Sequence, residues 1–373
     1  MGIFIKEIRS EKELKTFIKF PDKLYAGNRY YIPALHKSEF ITLDKTQNPA
    51  FDFCDATYWL AYINNQVVGR IAFIINHKYN DINNKKYARF GWLDFIDNEN
   101  VLQKLMQTVE NRAKENNAEF IHGPLGFSSF DASGVLIEGF NELPTSFGHY
   151  NFPYYSELLE KIGYKKDIDW IEYNVKVPDE IPENFARSAE LLKIRYKLHS
   201  AELKKKKDLA GYTTQIFNLI NSEYKDLYAF SELSDKQIAE LKKEFIVLLN
   251  PEYVSIILNE TNELIAFGIT IPSLAKALQK SKGKLYPFGI LRILNALRKN
   301  DTVDSLLIAV KKEFQNKGIH AIIFNDLFHT FKKRGITNLE TTRELEENNK
   351  VKQLWSRFEH RQHKRARCYI KKL

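Results

Sequence analysis

Cysteine is nearly absent. The 373 residues contain two, Cys54 and Cys368, too few for a disulfide framework or a cysteine-built zinc cluster, and they suit a reducing compartment. Long apolar runs are missing too: none reaches the roughly 18 residues a membrane span needs. Residues 1–7 lack the basic start and apolar stretch of a signal peptide, and Lys6 stands where an N-myristoylation signal would carry Ser or Thr. These absences point to a cytoplasmic chain. No His-Glu-x-x-His, Cys-x-x-Cys or EF-hand loop occurs, so no catalytic metal is expected, and no Gly-x-Ser-x-Gly elbow is present. Negative charge is in short supply: 47 Asp and Glu face 56 Lys and Arg, a formal excess of +9. That excess bears on partners such as phosphorylated cofactors, anionic lipid or nucleic acid, and not on fold. Nucleic acid is set aside, because no stripe of aromatics interleaved with cations is evident.

What is present suits a globular protein. Hydrophobic residues make up 44% of the chain, with 26 Phe and 19 Tyr to fill a core, and the length suits two domains. Residues 12–20 have helical spacing that Pro21 is expected to end. Residues 58–63 and 67–74 alternate around Asn64-Asn65-Gln66 and read as a hairpin. A strand follows at 89–96, a helix at 101–116 with Leu102, Leu105, Met106 and Val109 on one face, a strand at 119–122, a helix at 156–162 and a strand at 171–177. Pro178 to Asn184 carries two prolines and three acids and reads as a linker. Beyond it come a strand at 190–196, helices at 211–224 and 234–249, and a second hairpin at 254–271. Residues 273–299 form a basic insertion of two helical patterns, read as packing on the core, as a lid over an acyl chain, or as contact with a membrane surface.

The stretch 305–358 carries the clearest chemistry. An apolar run, Leu306 to Val310, leads through Gln315-Asn316-Lys317-Gly318-Ile319-His320 into a long helical pattern. Strand, glycine-bearing turn and helix start is a layout that holds phosphate: the first helical amides are unpaired and the dipole favours an anion. Downstream, Asn338 to Thr342 reads as a strand, and Asn348-x-x-Val351-x-x-Leu354-Trp355 follows as a helix.

These segments resemble the GNAT superfamily of acyl-CoA N-acyltransferases, with its Gln/Arg-x-x-Gly-x-Gly/Ala loop and its Asn-x-x-Ala-x-x-Leu-Tyr helix. His320 stands at the second small position and Trp355 at the tyrosine. The order hairpin, strand, helix, strand, helix, strand in residues 58–177 resembles a first copy of the same fold. Gly123-Pro124-Leu125-Gly126-Phe127 and Asn151-Phe152-Pro153-Tyr154-Tyr155 resemble segments of bacterial tandem GNAT-like proteins. The resemblance implies an α/β (α+β) fold of two GNAT-like domains, each a mixed, mostly antiparallel central sheet flanked by helices. Residues 1–178 would be a degenerate copy with an N-terminal lead-in, and 184–373 the copy that holds coenzyme A.

It further implies acetyl-CoA or a longer acyl-CoA as co-substrate and an amine or amino-acid-like small molecule as acceptor. Ile308, Val310, Gln315, Asn316, Lys317, Gly318, Ile319, His320 and Asn348 would line the CoA site. Ala309 or Val310 would offer the oxyanion its N–H, Glu340 (with Glu344 second) would take the amine's proton, and Tyr369 would replace the missing acid. His122, Tyr154 and Tyr155 are candidates for binding substrate. In the first copy the matching turn, Asp97-Asn98-Glu99-Asn100, has two carboxylates and no glycine, and like charges would repel a pyrophosphate. The rival expectation, which His320 and Trp355 motivate, is a catalytically degenerate pair that binds lipid or a small ligand.

Overall fold

A computed structural model describes residues 2–373, the side chains of residues 184, 244–246 and 349–351 excepted. Val351, in the helix motif above, is one whose side chain lies outside the described residues. The first half runs β1 (Phe4–Glu7), α1 (Glu11–Leu24), α2 (His36–Leu43), β2 (Cys54–Ile63), β3 (Gln66–Asn76), α3 (His77–Asn83), β4 (Tyr87–Phe95), α4 (Glu99–Glu115), β5 (Phe120–Gly123), β6 (Val135–Glu138), α5 (Tyr154–Lys161) and β7 (Lys165–Lys176). The second half runs α6 (Glu183–Tyr196), β8 (His199–Ser200), α7 (Lys206–Tyr224), α8 (Asp235–Leu248), β9 (Val254–Leu258), β10 (Leu264–Pro272), α9 (Ala275–Ser281), α10 (Gly289–Arg298), β11 (Thr302–Val310), α11 (His320–Arg334), β12 (Asn338–Thr341), β13 (Glu344–Leu345), α12 (Asn349–Trp355) and β14 (His360–Lys372).

All strands join one sheet in the order β1-β2-β3-β4-β5-β14-β7-β12-β11-β10-β9-β8, with β6 and β13 paired off this path to β14 and β7. The pairs are antiparallel except β4 with β5 and β11 with β12. β14 lies beside β5 of the first half, β7 lies beside β12 of the second, and the two long strands pair with each other from His360↔Val175 to Ile370↔Lys165. The halves are therefore joined by backbone hydrogen bonds through the middle of the sheet. Apolar residues of α4 and α5 pack on one face of the first half, and those of α1 on the other. In the second half α6 and α11 cover one face and α7 the other. Among the described residues no helix is long and apolar enough to cross a membrane.

Two local expectations change. α1 continues past Pro21 to Leu24. A proline nitrogen cannot bond the carbonyl four residues back, and here Arg70 Nη1 donates to that carbonyl, Phe17 O, at 3.0 Å. The same guanidinium pairs with buried Asp94 at 2.7 Å. Residues 190–196, read as a strand, are the end of α6: buried Phe185 and Ala189 recur at helical spacing once the run is followed back to Pro182.

Arg70→Met should therefore cost about 3–5 kcal/mol in urea unfolding, since it strands a buried carboxylate. Pro21→Ala should recover part of that loss, more than it gains in the parent protein, because an N–H returns to Phe17 O. Additive effects in this double-mutant cycle would refute the link.

Candidate active site

β11 and β12 run parallel only from Thr302↔Asn338 to Ser305↔Thr341. Beyond that point the register of β11 against β10 shifts, skipping Leu306, and a bulge of this kind bends a strand and re-aims it. The strands then part. Lys311 N–H donates to Ile265 O of the β10 side, so Ile308 and Val310, three and one residues before it, turn their backbone groups into the gap, while Ala309 turns away. The gap edge is not bare: Tyr224 hydroxyl donates to Ile308 O at 2.9 Å, and Gln315 Nε2 to Val310 O at 3.1 Å and to Glu223 at 2.9 Å.

At the end of β11 the chain turns through Gln315 to Gly318 into α11, which has no side-chain cap. Among the described residues the amides of Gly318, Ile319 and His320 make no hydrogen bond. Gly318 has φ +79°, and a Cβ there would meet nothing nearer than Leu192 Cδ1 at 3.6 Å. Asn316 and Lys317 are exposed beside it. Amides, dipole and space together fit a diphosphate. His320 is partly buried, with its Nε2 unpartnered, and burial lowers its pKa to about 4, so it adds no charge.

The first half has the same plan with the gap closed. β4 and β5 run parallel from Tyr87↔Phe120 to Arg89↔His122, and β4 is likewise irregular, with Trp92 at φ +45°. Leu125 N–H then closes on Phe90 O at 2.8 Å. Tyr155 hydroxyl accepts from Phe95 N–H at 3.1 Å, and Tyr154 hydroxyl donates to Phe95 O. Asn98 caps the amides of Asn100 and Val101 at the start of α4. Tyr154 and Tyr155, expected to bind substrate, are thus the plug of this gap.

On the face of the second gap away from α11 lies a buried polar cluster. A bulge in β14 between Gln362 and Lys364 leaves His363 unpaired in the ladder and turns two adjacent side chains inward. His363 Nε2 lies 2.8 Å from Glu340 Oε2, and its Nδ1 3.5 Å from Glu142 Oε2. Lys364 Nζ pairs with Glu172 at 2.8 Å. Asn174 donates to the other Glu340 oxygen at 2.7 Å. Beside Glu340 in register, Asp304 is fully buried and accepts from Ser146 N–H at 2.8 Å; burial first of all raises its pKa to about 6.

Trp355 is a core residue, edge-on to Phe324, and its indole N–H donates to both oxygens of Glu344 at 3.0 and 3.1 Å. Burial raises Glu344 to about pKa 8, leaving it mostly protonated near neutrality. Asn348 backbone O accepts from Lys352 N–H at 3.2 Å, at the start of α12.

Other expected residues lie elsewhere. Tyr369 sits in the core of the first half, donating to Glu160 at 3.0 Å. It is six residues along β14 from His363, roughly 20 Å. His122 is buried against the second half: its Nδ1 lies 2.8 Å from Tyr228 hydroxyl, which also bonds Asp167 and lies 3.3 Å from Cys368 Sγ. Burial lowers His122 to about pKa 4 and raises Cys368 to about 12. The ligand atoms of His122, Asp167 and Cys368 lie within 4.8 Å of one another, but Tyr228 already bonds all three, and a metal would need the thiolate.

A paired sheet in which each half carries a parallel strand couple beside a bulge, with the final strands exchanged across the centre, decides the fold. The chain has the tandem GNAT fold. It is similar over its whole length to a solved tandem GNAT protein from the clavulanic acid biosynthesis pathway, with a TM-score of 0.57 at 11% identity, covering 100% of this chain and 98% of that one. By sequence it is 26% identical to protein YghO of Escherichia coli over 99% of this chain and 95% of that protein. It is 25% identical to the bacterial ceramide synthase of Caulobacter vibrioides over 83% of this chain and 80% of that protein. No family model matches the chain.

Glu344 has its pKa raised on folding, so the neutral carboxyl is the form the fold favours. Its contribution to stability is full below the unfolded value of about 4.5 and is lost as pH rises through about 8. Glu344→Gln should melt higher than the parent at pH 9 and equal to it at pH 4. A gap in melting temperature that does not vary with pH would contradict the assignment.

Proposed function

We propose that this protein is an acyl-CoA-dependent N-acyltransferase of the cytoplasm, joining an acyl group to an amine. The observation that carries the reading is the contrast between the two halves. One strand gap opens toward an uncapped helix start at Gly318, while its counterpart is plugged by Tyr154, Tyr155 and Asn98.

In this reading acyl-CoA is a substrate, its diphosphate on the amides of Gly318 to His320 with Lys317 beside it, and its pantetheine arm along Ile308 and Val310. The arm would take over the gap edge that Tyr224 and Gln315 now bond. Val310 N–H would face the thioester oxygen as charge develops there. The acceptor nitrogen enters from the face carrying Glu340 and attacks the carbonyl carbon. A C–N bond forms, the C–S bond breaks, and the amine proton passes to Glu340, whose Oε2 lies 2.8 Å from His363 Nε2. Glu344, protonated through burial, is better suited than Tyr369 to return a proton to the departing thiolate. The name of the Caulobacter relative, a ceramide synthase, supports a long-chain amino alcohol as the acceptor and a fatty acyl-CoA as the donor.

Acyl-CoA should raise the melting temperature of the parent protein. Gly318→Asp should abolish that shift and Gly318→Asn should keep most of it, since both side chains tolerate positive φ and only one repels the diphosphate. Absence of any shift across acetyl- and long-chain acyl-CoA would remove the transferase reading and leave the degenerate binding pair. With an amine acceptor, Glu340→Gln should lower kcat roughly 100-fold or more while the acyl-CoA KM stays near the parent value. An unchanged kcat would exclude Glu340 as base.

A further inference from the structure

Between Ser273 and Asn300 the sequence holds seven Lys and Arg and no Asp or Glu, most of the chain's net charge of +9. These residues build α9, α10 and the turn between them. The apolar residues of α10 divide into two sets. Ile293, Ala296 and Leu297 pack against the core around α7 and β10. Phe288, Leu291 and Leu294 recur every third residue on another side and are 64%, 61% and 50% exposed, with Tyr286 just before them 72% exposed. A surface helix that only covers a core is polar on its outer side. Here the outer side carries four large apolar groups within nine residues, ringed by exposed Lys280, Lys282, Lys284, Arg292, Arg298 and Lys299.

The hairpin is held firmly. His36 N–H donates to Gly283 O at 3.0 Å, Gln279 Nε2 donates to Arg29 O at 2.8 Å, and Arg292 donates to Lys280 O. Its base also reaches the polar cluster. Leu274 N–H donates to Ser146 Oγ at 2.7 Å, Ser146 bonds Asp304, and Asp304 lies beside Glu340 in register.

We infer that this hairpin is a docking surface for an anionic lipid bilayer, with Tyr286, Phe288, Leu291 and Leu294 entering the headgroup layer. The occupant follows from the charge: a surface with cations and no carboxylates around exposed aromatic and aliphatic tips complements anionic headgroups over hydrocarbon. The hairpin that meets the bilayer is thus hydrogen-bonded at its base, through Leu274 and Ser146, to the residue beside Glu340. The docking itself does not depend on the acyl-transfer reading.

The test is sedimentation of the full chain with vesicles, without acyl-CoA. The parent protein should bind vesicles containing phosphatidylglycerol at least tenfold more tightly than pure phosphatidylcholine vesicles, and binding should weaken as salt rises. Phe288→Ser with Leu291→Ser, and separately Lys282→Gln with Lys284→Gln, should each lower that binding about tenfold or more. Neither pair should change the melting temperature, because all four side chains are exposed. No binding of the parent to anionic vesicles overturns the proposal, as does parent-like binding by both variants. So does a lipid-free dimer that the serine variant splits without loss of vesicle binding, which would make this face a contact between two copies.

Discussion

Everything in this molecule depends on the ladder between β7 and β14. These are the two long strands at the centre, and each belongs by sequence to one half while bordering the other half's parallel couple. The ladder does more than join the halves. Its irregular point leaves His363 outside the pairing and brings His363 and Lys364 against Glu340 and Glu172. A straight ladder would send one of two successive side chains to the opposite face. The polar cluster beside the second gap is thus a product of a backbone defect in the strand that also holds the fold together.

One backbone plan serves two ends. In register terms Arg89 and His122 of the first half match Asp304 and Glu340 of the second. The first pair is locked by its surroundings: Arg89 donates to Gly126 O and Ala229 O, and His122 bonds Tyr228. The second pair keeps carboxylates beside a strand gap whose edge is bonded by Tyr224 and Gln315. Tyrosine does much of the sealing, because a phenol fills the gap with an apolar ring and still satisfies the strand's polar groups.

The sequence made the second half's candidate site partly legible because the signals were local. A turn with Gly318, an apolar run before it and a periodic helix after it are neighbours in the chain. Most strands also announced themselves through alternation. What stayed hidden was long-range. Nothing in Gln362-His363-Lys364 marks a bulge, and Glu142, more than 200 residues from His363, meets it only through the fold. Tyr154 and Tyr155 looked like ligand groups because a polar, glycine-rich run resembles a binding loop; only tertiary structure reveals that Phe95 is their partner. Pro21 was misjudged because the donor that replaces its missing N–H comes from β3. Glu344 was named as a second choice of base, yet desolvation by burial favours its acid form, against the opposing pull of the Trp355 N–H, and burial cannot be read from one strand's pattern.

The position of β14 also constrains the order of events during synthesis. Domains usually mature from the N-terminal end while translation continues. Here β5 is complete at Gly123, but its neighbour begins at His360. At ribosomal speed the intervening chain takes roughly 10–50 s to make. For that interval the nascent first half carries an open edge, the kind of surface that recruits strands from other molecules. The plugged half, which emerges first, must therefore wait for the second half before its own sheet can close.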